Sequence, residues 1–170
     1  MLPGSGCRLD AALRIVVQRV THAAVSWCEP DGTSRREQIP AGLAVLVGAG
    51  PQDSVDDAHR LADKVATLRI FADAEGRFNR SLEDVGGEAL VVSQFTLYAD
   101  ATRGRRPSFI RAAEPETARE LCQRFADRLR ERGIPTRTGS FGAQMTVSLD
   151  NDGPVTIVLS TDPWETRISG

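Results

Sequence analysis

The chain has 170 residues, 41% of them hydrophobic and 26% charged, with a formal net charge of −2 and a pI near 5.7. That size and balance suit one soluble globular domain, and exclude a disordered or fibrous chain and a uniformly basic nucleic-acid wrapper. No apolar run approaches the ~20 residues of a membrane-spanning helix, and the best, Leu43–Ala49, is strand-sized.

Residues 1–13 carry Pro3, Gly4, Ser5 and Gly6 and no long apolar stretch, so they are expected to be a loosely attached extension rather than a secretory signal. Arg14–Val20 is β-branched and strand-like, and Ala23–Trp27 continues a sheet. Pro30-Asp31-Gly32 is turn chemistry before a strand at Ser34–Ile39. Leu43–Val47 reads as a buried strand. Ser54 caps a helix with Asp56 and Asp57 in its first turn. Its apolar face is Val55, Ala58, Leu61, Ala62, Val65 and Leu68. Asp73–Gly76 is a turn. Ala89–Tyr98 (ALVVSQFTLY) reads as a strand that begins apolar and then acquires Ser93, Gln94 and Thr96. A second helix is predicted from Pro115 to Arg132, with Gly133 as its stop and Ala118, Leu121, Cys122, Phe125 and Leu129 facing inward. Met145–Leu149 and Val155–Leu159 are two further strands around Asn151-Asp152-Gly153-Pro154. Residues 161–170 form an expected C-terminal tail, leaving 14–160 as the domain. The irregular order β-β-β-α-β-α-β-β argues for an α+β fold over a doubly wound sheet.

Familiar catalytic sets are mostly missing. Cys7, Cys28 and Cys122 share no metal-ligand spacing, and free thiols in a reducing, cytoplasmic setting are the simplest account. His22 and His59 have no partners suggesting a Ser-His-Asp or Cys-His arrangement, and zinc would need clustered Cys and His. Gly48-Ala49-Gly50 lacks a full phosphate-binding fingerprint and reads as a strand-ending loop. Charge, however, is uneven. Residues 101–140 hold 10 Arg and 5 acids, net +5, which leaves 11 basic and 18 acidic residues, net −7, for the rest. Only Lys64 is a lysine. Such an Arg-rich region is either a set of solvated helix faces or a guide for phosphates.

Two segments stand out. Ser93-Gln94-Phe95-Thr96 interrupts an apolar strand with groups that need partners. They either alternate outward or form a site edge that offers hydroxyl, amide and backbone N–H groups to a carbonyl-bearing ligand. Asn151-Asp152-Gly153-Pro154 is either a plain hairpin turn or, with Pro after Gly, a cis-peptide loop.

SQFTLYAD (Ser93–Asp100) with NDGPVT (Asn151–Thr156) resembles the paired signature of the D-aminoacyl-tRNA deacylases, the DTD or D-tyrosyl-tRNA(Tyr) deacylase family. Arg14–Val20 is similar to the family's VQRV strand. Arg69–Gly76 (RIFADAEG), Arg103–Phe109 (RGRRPSF) and Thr138–Leu149 (TGSFGAQMTVSL) follow in the family's order, so the resemblance covers residues 14–160.

The resemblance implies mixed and antiparallel sheets in a barrel-like core with two main helices, a homodimer, and no metal or cofactor. It implies hydrolysis of the ester that joins a D-amino acid, or glycine, to the 3′-terminal adenosine of tRNA. Ser93, Gln94, Phe95 and Thr96 would line the site. Gly153 and Pro154 would form a cis pair reaching into the partner's site and enforcing chirality, with Arg19 and Asn151 in support. Phe141 and Met145 would contact the adenosine, and Arg103, Arg105 and Arg106 the RNA. A related deacylase for mischarged L-aminoacyl-tRNA and a non-catalytic nucleic-acid-binding module are the alternatives. The chain departs from the family pattern at its two ends and at Trp27–Arg36 (WCEPDGTSRR), which is longer and more polar than the expected hairpin.

Overall fold

The computed structural model describes residues 12–102 and 104–161; Arg103, residues 1–11 of the expected extension and 162–170 of the expected tail lie outside them. The elements run β1 (Arg14–Cys28), β2 (Ser34–Ile39), β3 (Gly42–Gly48), α1 (Val55–Thr67), β4 (Phe71–Ala72), β5 (Phe78–Arg80), α2 (Leu82–Val85), β6 (Glu88–Ser93), a 3-10 helix (Phe95–Tyr98), α3 (Pro115–Glu131), β7 (Thr136–Thr138) and β8 (Met145–Ser160). This is an α+β fold with a nearly closed, barrel-like sheet.

The sheet has the order β2-β1-β3-β6-β7, with β8 also on β1. β3, β6 and β7 are parallel, whereas β1 pairs antiparallel with β2, β3 and β8. The first half of β1 pairs with β3 and its second half with β2, so the sheet folds over on itself. Strand β3 explains its own apolar run, because successive side chains enter different cores. Leu43, Val45 and Val47 meet Leu61, Val65, Phe125 and Leu129 of the two long helices. Ala44 joins Leu90 and Val92 beneath the folded-over strands, against Val20, Ala23, Val25 and Ile39. Each fully buried large side chain here contributes about 1.5–3 kcal/mol.

Helix α1 starts where Ser54 and Asp57 form a reciprocal capping box. Helix α3 carries Pro115 at its start. The two are clamped by a fork in which Arg128 Nε and Nη2 donate to the two oxygens of Asp63 at 2.8 and 3.1 Å. That hydrogen bonding holds the Asp63 carboxyl below the usual carboxylate range.

The structure corrects the single strand over Ala89–Tyr98, decides between the two readings of Asn151–Pro154 in favour of the cis-peptide loop, and adds detail at β1 and at Ala12–Leu13. Ala89–Tyr98 is not one strand: β6 ends at Ser93, and the chain turns into the 3-10 helix. Amphipathic Tyr98 anchors that turn, with its hydroxyl donating to the Ala12 carbonyl. Asn151–Pro154 is not a hairpin, because residues 145–149 and 155–159 belong to one strand that pairs with β1 on both sides. Between Val20↔Asn151 and Gln18↔Thr156 the register slips, so the segment bulges out of a continuing strand. Arg14–Val20 and Ala23–Trp27 likewise form one strand, with His22 inside it. Ala12 and Leu13, assigned to the extension, are buried, and Leu13 exchanges hydrogen bonds with Thr161. The short elements β4, β5, α2 and β7 had no sequence prediction, being too brief for a periodic signal.

Candidate active site

The parallel strands β3, β6 and β7 all end on one edge of the sheet. There β3 delivers Gly48, β6 delivers Ser93, and β7 leads into Gly139, whose N–H donates to the Val91 carbonyl at 3.3 Å. The Gln94 N–H closes the ladder onto the Val47 carbonyl at 2.7 Å. The chain then turns sharply, and Phe95 and Thr96 begin the 3-10 helix. The first residues of such a helix have N–H groups for which the helix supplies no acceptor. Both residues are exposed at this edge of the sheet. The Gln94 side-chain amide donates to the Thr96 hydroxyl. The half-buried Ser93 and Gln94 and the exposed Phe95 and Thr96 are therefore one contiguous surface.

Close packing fixes that surface. A Cβ on Gly48 would lie 2.8 Å from the Gln94 carbonyl oxygen and 3.1 Å from Leu97 Cβ, so only glycine lets β3 end against the turn. Behind it, Arg14 Nη1 donates to the Leu97 carbonyl at 3.1 Å and its guanidinium lies 4.2 Å from the Tyr98 ring centre. Phe109 packs edge-on against Phe95, with ring centres 5.1 Å apart. Arg105 and Arg106 are exposed on the adjoining loop, closed by the Asp100↔Ser108 bridge. On the same edge, the Arg119 guanidinium sits 5.1 Å from the centre of the half-buried Phe141 ring. Met145 opens β8 opposite Trp27, and its Sδ would lie 2.5 Å from a Cβ on Gly139.

The second motif is elsewhere. Gly153 and Pro154 are exposed at the bulge of β8, joined by a cis peptide bond, with Gly153 at φ +125°. Arg19 lies under them: its Nε pairs with Asp152 Oδ2 at 2.9 Å and its Nη1 donates to the Ile70 carbonyl at 2.6 Å. The Phe78 ring centre is 5.3 Å from the same guanidinium. Asn151 Oδ1 accepts from the Val155 N–H at 2.9 Å, and its Nδ2 donates to Thr156 Oγ1 at 2.8 Å. Arg19 is opposite Leu43, whereas Ser93 is opposite Val47, and the four residue steps of β3 between them span roughly 13 Å. The chain therefore brings Ser93–Thr96 and Phe141 to one edge and carries Gly153–Pro154 at the other.

Sequence reasoning missed several supports. Arg14, Asp152, Phe109 and Arg119 act through contacts between distant segments, which no local pattern announces. Gly48 was visible only as a loop signal. Cys122 offers no alternative nucleophile, because burial behind β3 pushes its thiol up to about 12. Among the described residues no cluster of His, Cys, Asp or Glu could hold a metal ion.

The family described as D-Tyr-tRNA(Tyr) deacylase matches residues 16–160. A protein of Roseiflexus sp. (strain RS-1) named D-aminoacyl-tRNA deacylase is 58% identical over 149 residues, covering 88% of this chain and 94% of that protein. A Deinococcus radiodurans protein of the same name is 53% identical over 147 residues, covering 86% and 99%. Among solved structures, one titled c-Myc DNA Unwinding Element Binding Protein superposes with TM-score 0.78 at 36% identity, over 89% of this chain and 99% of that one. A probable eukaryotic D-amino acid tRNA deacylase has the same fold, with TM-score 0.73 at 18% identity, over 88% and 99%.

Proposed function

The chain belongs to the D-Tyr-tRNA(Tyr) deacylase family and is a hydrolase with D-aminoacyl-tRNA deacylase activity, and from that premise we propose how its residues carry out the reaction. The observation that carries the proposal is the exposed turn at Phe95 and Thr96, which opens the 3-10 helix and whose position is fixed by close packing on Gly48. The N–H groups of these two residues take the developing oxyanion of the tetrahedral intermediate, the position where preorganised donors help acyl transfer most. An aminoacyl ester is already activated, so positioning and oxyanion stabilisation do much of the work. The ribose 2′-hydroxyl of the terminal adenosine orients the attacking water. Among the described residues the Thr96 hydroxyl has the Gln94 amide as its hydrogen-bond partner, not a base that would make it a nucleophile. Phe141 and Met145 receive the adenosine, and Arg105 and Arg106 meet the phosphates.

The protein works as a homodimer, in which Gly153 and Pro154 of the partner subunit complete the site. Support comes from their place at the far end of the sheet from Ser93 and from the apolar side chains that β8 leaves exposed, Val147 and Val158. Their carbonyls hold the substrate's α-amino group and leave no room on the L side. Rejection of this kind needs no recognition of any D side chain, so many D residues and glycine are accepted.

The test is release of amino acid from D-Tyr-tRNA with L-Tyr-tRNA as control. Hydrolysis of the D-ester alone is expected, and equal hydrolysis of both removes the chiral assignment. The likeness to a DNA-element-binding protein favours one second reading, a nucleic-acid-binding module without turnover. Salt-sensitive binding of generic DNA with no deacylation would establish that reading instead.

A further inference from the structure

The segment Trp27–Arg36 has no role in the reaction just described. Together with the loop after β7 it lines an open cleft of about 700 Å3, within the roughly 300–1,000 Å3 range of small-ligand sites. The hairpin tip is closed by its own backbone hydrogen bonds. The Glu29 N–H donates to the Thr33 carbonyl at 2.8 Å, the Gly32 N–H donates to the Glu29 carbonyl at 2.9 Å, and Gly32 holds φ +85°. Inside the cleft the Trp27 indole N–H donates to Glu29 Oε1 at 2.9 Å, which fixes an aromatic plate beside a carboxylate. The facing wall contains Ser140, Gln144 and Phe141, the residue assigned above to the terminal adenosine.

We propose that this cleft is a second nucleotide subsite, which takes the cytosine preceding the terminal adenosine of the acceptor strand. The assignment rests on the aminoacyl-tRNA reading for the placement of the adenosine at Phe141. Trp27 supplies a stacking face that any base can use. Glu29 supplies the choice: a carboxylate accepts from the cytosine N4 amine and faces a repelling oxygen in uracil. A carboxylate engaged by one indole N–H still has lone pairs to accept that amine. Arg35 is the cross-strand neighbour of Trp27, on the same face of the hairpin, where its guanidinium suits the phosphate between the two nucleotides.

The full chain is titrated with the dinucleotides CpA and UpA and with adenosine 5′-monophosphate, and tryptophan fluorescence is followed. CpA is expected to quench with an affinity roughly tenfold above that of UpA, the weight of one well-made base contact. The monophosphate should leave the Trp27 signal alone. Trp27→Leu should remove the response, and the near-isosteric Glu29→Gln should make CpA and UpA equivalent. Quenching by the monophosphate equal to that by CpA would assign the cleft to the terminal adenosine and overturn the proposal. Equal response of the unsubstituted chain to CpA and UpA, or no response, would also overturn it. Deacylation of D-Tyr-tRNA is measured separately. Preference for CpA without deacylation removes the catalytic reading and keeps the subsite, whereas deacylation without that preference removes the subsite alone.

Discussion

Arg19 Nε lies 2.9 Å from Asp152 Oδ2 while its Nη1 donates to the Ile70 carbonyl at 2.6 Å, so one guanidinium ties the Gly153–Pro154 bulge to the chain leading into β4. The two partners differ in weight. The Arg19 side chain is 11% exposed and that of Asp152 is 49% exposed. Asp152→Asn should therefore cost only about 0–1 kcal/mol of stability. Arg19→Met strips the Ile70 carbonyl of a charged donor and should cost about 1–3 kcal/mol. Both should lower the preference for D-Tyr-tRNA over L-Tyr-tRNA, Arg19→Met more. Denaturant unfolding and the two hydrolysis rates give the comparison, and full selectivity in a folded Arg19→Met protein would detach Arg19 from the loop's role.

Gly48 makes a separate test of the opposite edge. In Gly48→Ala the new methyl would stand 2.8 Å from the Gln94 carbonyl oxygen, and backbone cannot swing aside as a side chain can. The turn bearing Phe95 and Thr96 must move, at a stability cost of about 1–3 kcal/mol. Loss of a well-placed oxyanion donor costs roughly 100- to 1,000-fold in kcat. A fall of that order in kcat with little change in KM is expected, and a variant with unaltered kcat would show that the turn's exact position is immaterial.

Thr96→Ala separates the two routes to the ester. With water as nucleophile the hydroxyl only accepts from Gln94, and its removal leaves both backbone donors in place. Activity within about tenfold of the parent is expected. A covalent nucleophile would instead be worth on the order of a 10,000-fold or greater loss. Trapping of an acyl-enzyme on Thr96 would decide for the covalent route.

The long elements were legible because their signals are local. Ser54 with Asp57, and Pro115 at the start of a helical stripe, announce α1 and α3 without reference to the rest of the chain. Residues 145–160 were misread for the complementary reason. Asn-Asp-Gly-Pro has turn chemistry, but its shape is set by β1, which pairs on both sides and turns the segment into a bulge. Ala89–Tyr98 failed similarly, because an alternating pattern cannot show that Val47 takes the Gln94 N–H and ends the ladder. The site motifs were found through resemblance. Their supports Arg14, Gly48 and Asp152 emerge only when distant segments meet.

Tyr98 gives a pH test that the composition makes clean, because it is the chain's one tyrosine. Burial first, and the charge of Asp53 second, push its phenol well above the ordinary value of 10.0. For an acid raised in the folded state, the neutral form is favoured by folding. Its contribution to stability is complete below pH 10 and is lost as the pH rises from there toward the folded-state value. Tyrosinate absorbance should therefore stay absent in the folded chain near pH 10 to 11 and appear only with loss of the circular dichroism signal. The chain in denaturant should titrate near the ordinary value. Half-ionisation near pH 10 with native dichroism would mean that the ring is not sealed under Arg14 and Ala12. The same hydroxyl anchors the 3-10 helix that begins at Phe95, so Tyr98→Phe should loosen the oxyanion donors as well as the fold. Its kcat should fall while KM holds, which a purely structural anchor remote from the site would not produce.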